Sequence, residues 1–187
     1  MKASSESTAA RLSRSQHNYT SCNCDVLAAG AILPKERFSD LTIRSAEITD
    51  AAALAQLMCE LGYETTKSEM QMRLDRIATD DRCRTLVAVC DGEVCGMIGT
   101  LTYPSIEHND LSGRIVALVI KSTMRRRGIG RALITFAEED FGQRGITRVA
   151  LNTRIARQDA HKFYESLGYE RNGFRFTKDL STIAAQK

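Results

Sequence analysis

The sequence contains no uninterrupted apolar stretch that approaches the roughly 20 residues a helix needs to cross a bilayer. We therefore expect a soluble protein with no membrane partner. It also carries little net charge, because 26 Lys and Arg against 23 Asp and Glu leave a formal charge of +3. A charge of this size does not predict a nucleic-acid partner. No secretory leader with an apolar segment precedes the cysteines, so we expect a cytoplasmic protein.

The cysteines lack the spacing of a metal site. The chain has 6, at Cys22, Cys24, Cys59, Cys83, Cys90 and Cys95, and no two form a C-x-x-C pair. We therefore expect neither zinc nor another metal. In a cytoplasmic protein these thiols should be reduced and mostly buried in the core. Cys90 and Cys95 flank a predicted turn and would lie near each other on one face, and we expect these two to be reduced as well.

Residues 1–40 lack any persistent helical or strand period, and Ser, Thr, Ala and Asn dominate them. This composition predicts a mostly disordered extension. Arg11 and Arg14, with few acids nearby, would suit a transit peptide. Glu6, Asp25 and the poor amphipathicity favour an unprocessed tail instead, and the sequence leaves both interpretations open.

Residues 41–187 show regular patterns and fit one domain, since the whole chain has only 187 residues. The patterns predict strands at 41–44, 85–90, 94–100, 115–120, 149–152 and 174–176, with helices after Asp50, after Ser68, from Ile129 and around Ala160. Asp50 is predicted to cap the first helix, and Ser68 with Gln71 forms a candidate capping box for the second. Asp91-Gly92 predicts a hairpin turn. The order β-α-α-β-β-β-α-β-α-β predicts an α/β domain with a mixed sheet covered by helices.

A basic loop with two glycines follows the buried strand at 115–120. It consists of Arg125, Arg126, Arg127, Gly128, Ile129, Gly130 and Arg131, and a helix begins within it. Free N–H groups at a helix start bind anions, glycines let the backbone approach closely, and arginines add charge. A Walker A pattern is absent, and Leu133 stands where a Rossmann fingerprint needs a third glycine. The residues alone predict an anion site, with a solvated basic turn or a nucleic-acid patch as the alternatives.

Two motifs give a family resemblance over about residues 41–180. Arg-x-x-Gly-x-Gly after a buried strand, continued as Gly-Ile-Gly-Arg-Ala-Leu-Ile, resembles the acetyl-CoA pyrophosphate loop of the GNAT acetyltransferase superfamily. The segment from Ala160 to Tyr169 resembles its second signature. The resemblance implies a GNAT-type domain with splayed central strands and acetyl-CoA as cosubstrate. It also implies that the backbone of Leu118, Val119 and Ile120 contacts the pantetheine.

The resemblance implies further roles for single side chains. Tyr164 stands at the position of the family's usual proton donor, although its pattern also fits a tyrosine on the core stripe. Asn152 stands where the family often contacts cofactor or ordered water, with a strand-end cap as the alternative. Many members carry a glutamate on the central strand that accepts the amine's proton through water, but residues 114–118 contain no carboxylate. The base stays open, with surface candidates at Glu60, Glu64, Glu107, His108, Asp110, Asp159 and His161.

The acceptor amine is predicted less sharply. Segments at 91–99, 159–164 and 174–178 resemble aminoalkylphosphonate N-acetyltransferases, and small-molecule members place the acceptor between the first two helices and the loop after the third strand. The resemblance therefore implies a substrate site at Tyr63, Tyr103, His108 and Arg114. A cationic Arg114 would suit a phosphonate- or carboxylate-bearing amine, unless it is only a surface strand residue.

Three functions stay open from the sequence. The first is transfer of an acetyl group from acetyl-CoA to a primary amine of a small molecule (an amino-phosphonate, an amino acid-like amine or a drug amine) by direct attack in a ternary complex. The second is acetylation of a protein lysine or N-terminus. The third is a non-catalytic acyl-CoA-binding regulator. A homodimer is compatible with each of them.

Overall fold

The computed structural model describes residues 41–180, so the extension predicted at 1–40 and the last residues, 181–187, lie outside the described part of the chain. The elements are β1 (Leu41–Ser45), α1 (Ala51–Leu61), α2 (Lys67–Ala78), β2 (Cys83–Cys90), β3 (Glu93–Pro104), β4 (Leu111–Ile120), α3 (Ile129–Gln143), β5 (Val149–Leu151) and α4 (Gln158–Glu165). Short 3-10 turns lie at Ile48–Asp50 and Ser122–Met124. Among these residues no helix combines the length and apolarity needed to cross a bilayer.

The five strands form one mixed sheet in the order β1-β2-β3-β4-β5. The first four pair antiparallel with their neighbours, whereas β5 pairs parallel with β4. The predicted α/β domain with a mixed sheet is therefore confirmed. The hairpin prediction is also confirmed, because Asp91 and Gly92 join β2 to β3 with φ angles of 51° and 81°.

The strand predicted at 174–176 does not form, and residues 169–180 contain no strand. Phe174 and Phe176 are 86% and 94% exposed. Alternating residues favour a strand only if a neighbouring edge can pair with them. The free edge of β5 spans just 3 residues, so the local pattern finds no partner within the described part of the chain.

Helices cover both faces of the sheet, and each face has its own core. The α3 face is a cluster formed by Leu86, Ala88, Cys90, Cys95, Ile98, Ile115, Ile129, Leu133, Ile134, Ala137, Phe141 and Ile146. The other face packs against α1 and α2 through Ala51, Leu54, Ala55, Leu57, Met70, Leu74, Val87, Met97 and Val119. Successive residues of β2 and β3 alternate between these clusters, as the period of a strand requires. The face of each strand residue can therefore be assigned.

Two capping predictions were wrong in detail. The capping box of α2 uses Thr66 and Glu69, whose backbone N–H groups bond each other's side chains at 2.7 and 3.2 Å, instead of Ser68 and Gln71. Asp50 precedes α1 but its carboxylate makes no cap bond to that helix. It accepts two hydrogen bonds from Arg44, at 2.7 and 2.9 Å, and one from the Glu47 N–H at 2.8 Å.

Candidate active site

The parallel pair β4–β5 is paired for only part of its length. Ladder partners run from Gly113↔Val149 to Ile115↔Leu151, whereas β4 continues to Ile120. Residues 116–120 therefore have no ladder partner in β5. The result is an opening between the carboxyl ends of the two strands, at the place where the resemblance implies splayed strands.

A β-bulge in β4 lies at the start of this opening. On β3, Gly99 pairs with Ala117 and Thr100 pairs with Ile115, which leaves Val116 as an extra residue in β4. A bulge bends its strand and increases the local twist. The β4–β5 pairing ends at Ile115, directly before the bulge, and Val116 is exposed. An added Cβ on Gly99 would lie only 3.1 Å from Val116 Cγ2, so a small residue is needed beside the bulge.

The backbone of Leu118 faces the opening. The Lys121 N–H donates to Cys95 O on β3 at 2.9 Å, so by strand alternation Val119 also turns its backbone groups to β3. Leu118 and Ile120 then turn theirs to the opposite edge. Ile120 O already accepts a hydrogen bond from Arg125 Nε at 3.0 Å. Of the three predicted pantetheine contacts, Leu118 alone offers both an N–H and a C=O that face the opening without a partner in the described part of the chain.

The basic loop makes a backbone concavity at the start of α3. Arg126 and Gly128 take left-handed φ angles of 62° and 89°, and the helix begins at Ile129. N–H groups in the first turn of a helix have no acceptor within the helix. The amides of residues 128–131 therefore lie at the positive end of the helix dipole, where an anion is favoured.

The arginine side chains of the loop contact different helices. Arg125 turns toward α1, where its guanidinium lies 3.1 Å from Glu60 Oε2. Glu60 also accepts from the Ser122 N–H at 2.7 Å, so this one carboxylate fixes the loop to the end of α1. Arg126 lies 3.2 Å from Asp159 of α4, with both side chains largely exposed. The loop is thus held between two helices, and the anion-binding role that the sequence predicts for these arginines stays a prediction.

Gly130 sets the distance between α3 and α4. A Cβ at this position would lie 3.3 Å from Phe163 Cζ and 3.8 Å from Ile120 Cγ1. The missing side chain lets Phe163 pack against the first turn of α3. The Phe163 ring contacts that of Tyr164 edge-on at 5.2 Å. The glycine therefore positions the helix that carries the predicted proton donor.

Tyr164 is half-buried and packs against the core of the α3 face, which Leu118 of β4 also contacts. Burial raises the pKa of its hydroxyl, and the cationic Arg157 opposes this shift. In the described part of the chain the hydroxyl has no hydrogen-bond partner. The neighbouring Tyr169, 5.9 Å away between ring centroids, donates to Glu138 Oε1 at 2.7 Å. The Tyr164 hydroxyl is therefore protonated at neutral pH and can donate a hydrogen bond.

Arg114 and Asn152 meet across β4 and β5. In the amide orientation that satisfies both neighbours, Asn152 accepts from the Arg114 guanidinium and donates to Leu151 O at 3.1 Å. Arg114 pairs with Leu101 and lies on the α1–α2 side of the sheet, because its neighbour Ile115 is in the α3-face core. Tyr103 follows Leu101 by two positions on the same face. His108 is exposed in the loop before β4.

Two more contacts connect the end of α1 to the loop after β5. The Arg154 guanidinium lies 5.9 Å from the centre of the Tyr63 ring. The Arg157 guanidinium donates to Leu61 O at 2.7 Å. The end of α1 thus binds the loops that follow both β4 and β5, and it lies beside the opening between these strands. Tyr63, a predicted substrate residue, is 52% exposed here.

A cleft of about 240 Å³ lies between α2 and the sheet at the bulge. Its lining is Met58, Met70, Arg73, Leu74, Ile77, Cys83, Arg84, Thr85, Met97, Gly99, Thr100, Leu101, Val116 and Ala117. Because Val116 and Ala117 lie just beyond the last β4–β5 pair, the cleft adjoins the opening. A larger cavity of about 380 Å³ near β1 and the end of α2 is lined by no residue of β4 or β5.

None of the four predicted substrate residues lines this cleft; Tyr63, Tyr103, His108 and Arg114 are placed around it or away from it. Met58 and Met70 lie on apolar helix stripes that pack in the core of the α1–α2 face, and Arg73 lies on the same helix as Met70. Since the cleft depends on how α2 sits over the bulge, local patterns carry no signal for it.

The cleft lining also contains no carboxylate and no imidazole within the described residues. The predicted bases Glu60, Asp110 and Asp159 are each in an ion pair with an arginine. A hydrogen bond from Thr147 and the contact with Arg148 hold the pKa of Asp110 below its usual range. Glu64, Glu107, His108 and His161 do not line the cleft either. None of the predicted bases therefore lines the cleft.

In this α/β fold, the parallel pair β4–β5 opens beside a glycine loop at the start of a helix. This arrangement defines a CoA-dependent acyltransferase. The sequence model of the Acetyltransferase (GNAT) family matches residues 51–169. The chain belongs to this family, and the predicted acyltransferase identity is confirmed.

Curated relatives and solved structures agree with this membership. The chain is 35% identical over 143 residues to the aminoalkylphosphonate N-acetyltransferase of Salmonella typhimurium, covering 74% of this chain and 90% of that protein. It is 28% identical over 134 residues to the aminoglycoside N(6')-acetyltransferase type 1 of Klebsiella aerogenes, covering 68% and 88%. A GNAT family acetyltransferase of Staphylococcus aureus superposes with a TM-score of 0.65 at 26% identity, over 75% of this chain and 98% of that chain.

Proposed function

We propose that this protein transfers an acetyl group from acetyl-CoA to the primary amine of a small molecule, by direct attack within a ternary complex. One observation carries the proposal: the opening between β4 and β5 has the amide concavity of α3 at its end and adjoins an acceptor-sized cleft at Val116 and Ala117. Such an arrangement allows a donor and an acceptor to be held at the same time, which is the main source of rate in a two-substrate transfer.

The residues fit a CoA ligand. The N–H groups of residues 128–131 are placed to hold the pyrophosphate, with charge from the arginines of the loop. The two backbone groups of Leu118 that face the opening are placed to bond the amides of the pantetheine, as an added strand would. When bound, acetyl-CoA supplies the acetyl group as a thioester, and a thiolate leaves.

Tyr164 is proposed as the acid that holds a proton for that thiolate. Burial keeps its hydroxyl protonated, and no described residue competes for its hydrogen bond. The amine must lose a proton before it attacks, since an alkylammonium has a pKa of about 10. No carboxylate or imidazole lines the cleft, so we assign this deprotonation to water. Asn152 holds Arg114, which leaves that guanidinium on the cleft side of the sheet.

The size of the cleft favours a small acceptor. Its volume of about 240 Å³ is below the roughly 300–1,000 Å³ of sites that enclose drug-sized ligands. The most similar curated relative described above acts, by its name, on aminoalkylphosphonates, which are small amines with an anionic group. We therefore place an amino-phosphonate or amino acid-like amine before an aminoglycoside as the substrate. Acetylation of a protein lysine would need an open groove in place of this cleft.

The test is release of free thiol from acetyl-CoA with a panel of amines: 2-aminoethylphosphonate, β-alanine, an aminoglycoside and a lysine-containing peptide. We expect turnover with the small amines, and intersecting lines in double-reciprocal plots when both substrates are varied. Turnover with the peptide alone would refute the small-molecule assignment. Parallel lines would refute direct attack, because they indicate an acetylated enzyme. Binding of acetyl-CoA with no turnover of any amine would point to a non-catalytic regulator.

A further inference from the structure

One charged side chain lies over the cleft. Arg73, on α2, lines it together with Met70 and Leu74 of the same helix face. Its guanidinium donates to Thr65 Oγ1 at 3.0 Å, in the segment between α1 and α2. This hydrogen bond holds the arginine at the rim of an otherwise mostly apolar space.

Arg84, the second charged residue of the lining, has its side chain on the other face of the sheet. Arg84 belongs to β2, two positions before Leu86 of the α3-face core, so its side chain lies on that other face. There its guanidinium is paired with Asp140 of α3. The Arg84 side chain therefore points away from the cleft, and among the described lining residues Arg73 is the one whose charged side chain lies at the rim on the α2 side.

The charge of Arg73 is not neutralised by a bonded carboxylate. Within residues 41–180 no carboxylate oxygen lies within 4.0 Å of it, and its hydrogen-bond partner is a neutral hydroxyl. Glu69, one helical turn earlier, uses its Oε2 in the capping box, bonding the Thr66 N–H at 2.7 Å and its hydroxyl at 2.8 Å. The bonds from Thr66 lower the pKa of Glu69, and Arg73 is close enough for its charge to help, but Glu69 forms no ion pair with the guanidinium. A guanidinium without a bonded carboxylate, beside apolar walls, attracts anions, and its planar fork matches carboxylate and phosphonate oxygens.

We propose that Arg73 binds the anionic group of the acceptor and thereby selects amines that carry a carboxylate or phosphonate. The cleft places the amino end of such a molecule at Val116 and Ala117, beside the opening, and its acidic end at Arg73 on α2. This inference rests on the proposed function, since it assigns one end of the substrate of that same reaction. It differs from the role predicted for Arg114, which lies in the sheet and is bonded to Asn152.

The experiment compares two primary amines of similar length: 2-aminoethylphosphonate, which carries an anionic group, and 3-amino-1-propanol, which carries none. Both are assayed with the wild type, Arg73→Gln, Arg73→Lys and the control Arg76→Gln, whose arginine lies on the same helix but lines neither cavity. We expect Arg73→Gln to raise KM for the phosphonate about 10-fold or more, because a charge-assisted bond is lost. KM for 3-amino-1-propanol should change less than about 2-fold, Arg73→Lys should restore part of the loss, and Arg76→Gln should match the wild type.

Two results would overturn the proposal, and they are distinguishable. If Arg73→Gln weakens both amines equally, or also lowers the melting temperature, Arg73 has a structural role and the inference fails alone. If the wild type uses neither amine while other amines are turned over, the acceptor is of another class and the inference also fails. If no amine at all gives thiol release, the proposed function itself fails.

Discussion

Replacing Tyr164 by Phe removes the hydroxyl that we propose as the proton donor and leaves the ring in its packing against Phe163 and Tyr169. Because this hydroxyl has no protein partner in the described part of the chain, no buried group is left unsatisfied. We expect the free energy of unfolding to change by less than about 0.5 kcal/mol, which is about 1–2 °C in Tm for a chain of this size. We expect kcat, in contrast, to fall.

The size of that fall follows from the leaving group. General acids contribute about 10²–10⁴-fold, and a thiolate of pKa about 8.5 is already a fair leaving group, so the lower end applies. A 10²-fold loss corresponds to about 2.7 kcal/mol in the activation free energy. The assay is free thiol release at saturating acetyl-CoA and amine, with the Kd for acetyl-CoA measured separately and expected to be unchanged.

The matched control is Tyr169→Phe. Its hydroxyl donates to Glu138, so this change should lower stability by about 0.5–1.5 kcal/mol and leave kcat within about 2-fold. The reasoning is refuted if Tyr164→Phe retains wild-type kcat with chemistry rate-limiting, or if it lowers Tm by many degrees, since Tyr164 would then be a core tyrosine. The pH profile gives a second check. Burial raises the pKa of Tyr164 above its ordinary value of about 10, so kcat/KM should rise with pH as the amine deprotonates and should not fall before pH ~10.

Three further predictions concern the loop, the fold and the thiols. Gly128→Ala and Gly145→Ala each force alanine into a left-handed φ, 89° and 72°, at opposite ends of α3. Both should lower the free energy of unfolding by about 1–2 kcal/mol in calorimetry, but only Gly128→Ala should weaken acetyl-CoA binding in titration. Equal weakening of binding by both would contradict the loop assignment. Asp50→Asn removes the charge that accepts from Arg44 and Glu47 and should cost about 1–3 kcal/mol in urea unfolding. Those bonds lower the pKa of Asp50. Its contribution to the free energy of unfolding is therefore present above its unfolded pKa of about 3.9 and is lost as pH falls toward the folded value. If the stability difference between wild type and Asp50→Asn does not shrink as pH falls, this explanation is excluded. Iodoacetamide with peptide mapping should label exposed Cys59 well before Cys90 and Cys95, which are buried and whose pKa values burial raises; equal labelling rates would show that the core opens.

Local patterns predicted most of the fold because most elements here are specified locally. Asp91-Gly92 tolerates positive φ at both turn positions, so the β2–β3 hairpin could be predicted from two residues. The capping box of α2 shows the limit of such patterns. Thr66 with Glu69 and Ser68 with Gln71 share the same spacing, and the choice depends on where α1 ends and α2 begins.

The candidate site also has one part that local sequence predicts and one part that it does not. The loop at residues 125–131 is a local backbone feature, and its glycines and arginines are visible in the sequence. The cleft arises from the bulge at Val116 and from the position of α2 above it, neither of which has a sequence period. Arg73 could therefore be recognised as a candidate only after the fold had placed it over that space. The strand predicted at 174–176 failed for the same reason, because a strand needs an edge that the pattern does not specify.

A crystal structure with bound CoA tests the central claim most directly, because it locates both ends of the donor. We expect the pyrophosphate against the N–H groups of residues 128–131 and the thiol in the opening between β4 and β5, within hydrogen-bond reach of the Tyr164 hydroxyl. A pyrophosphate bound elsewhere, or a thiol outside that opening, would contradict the account.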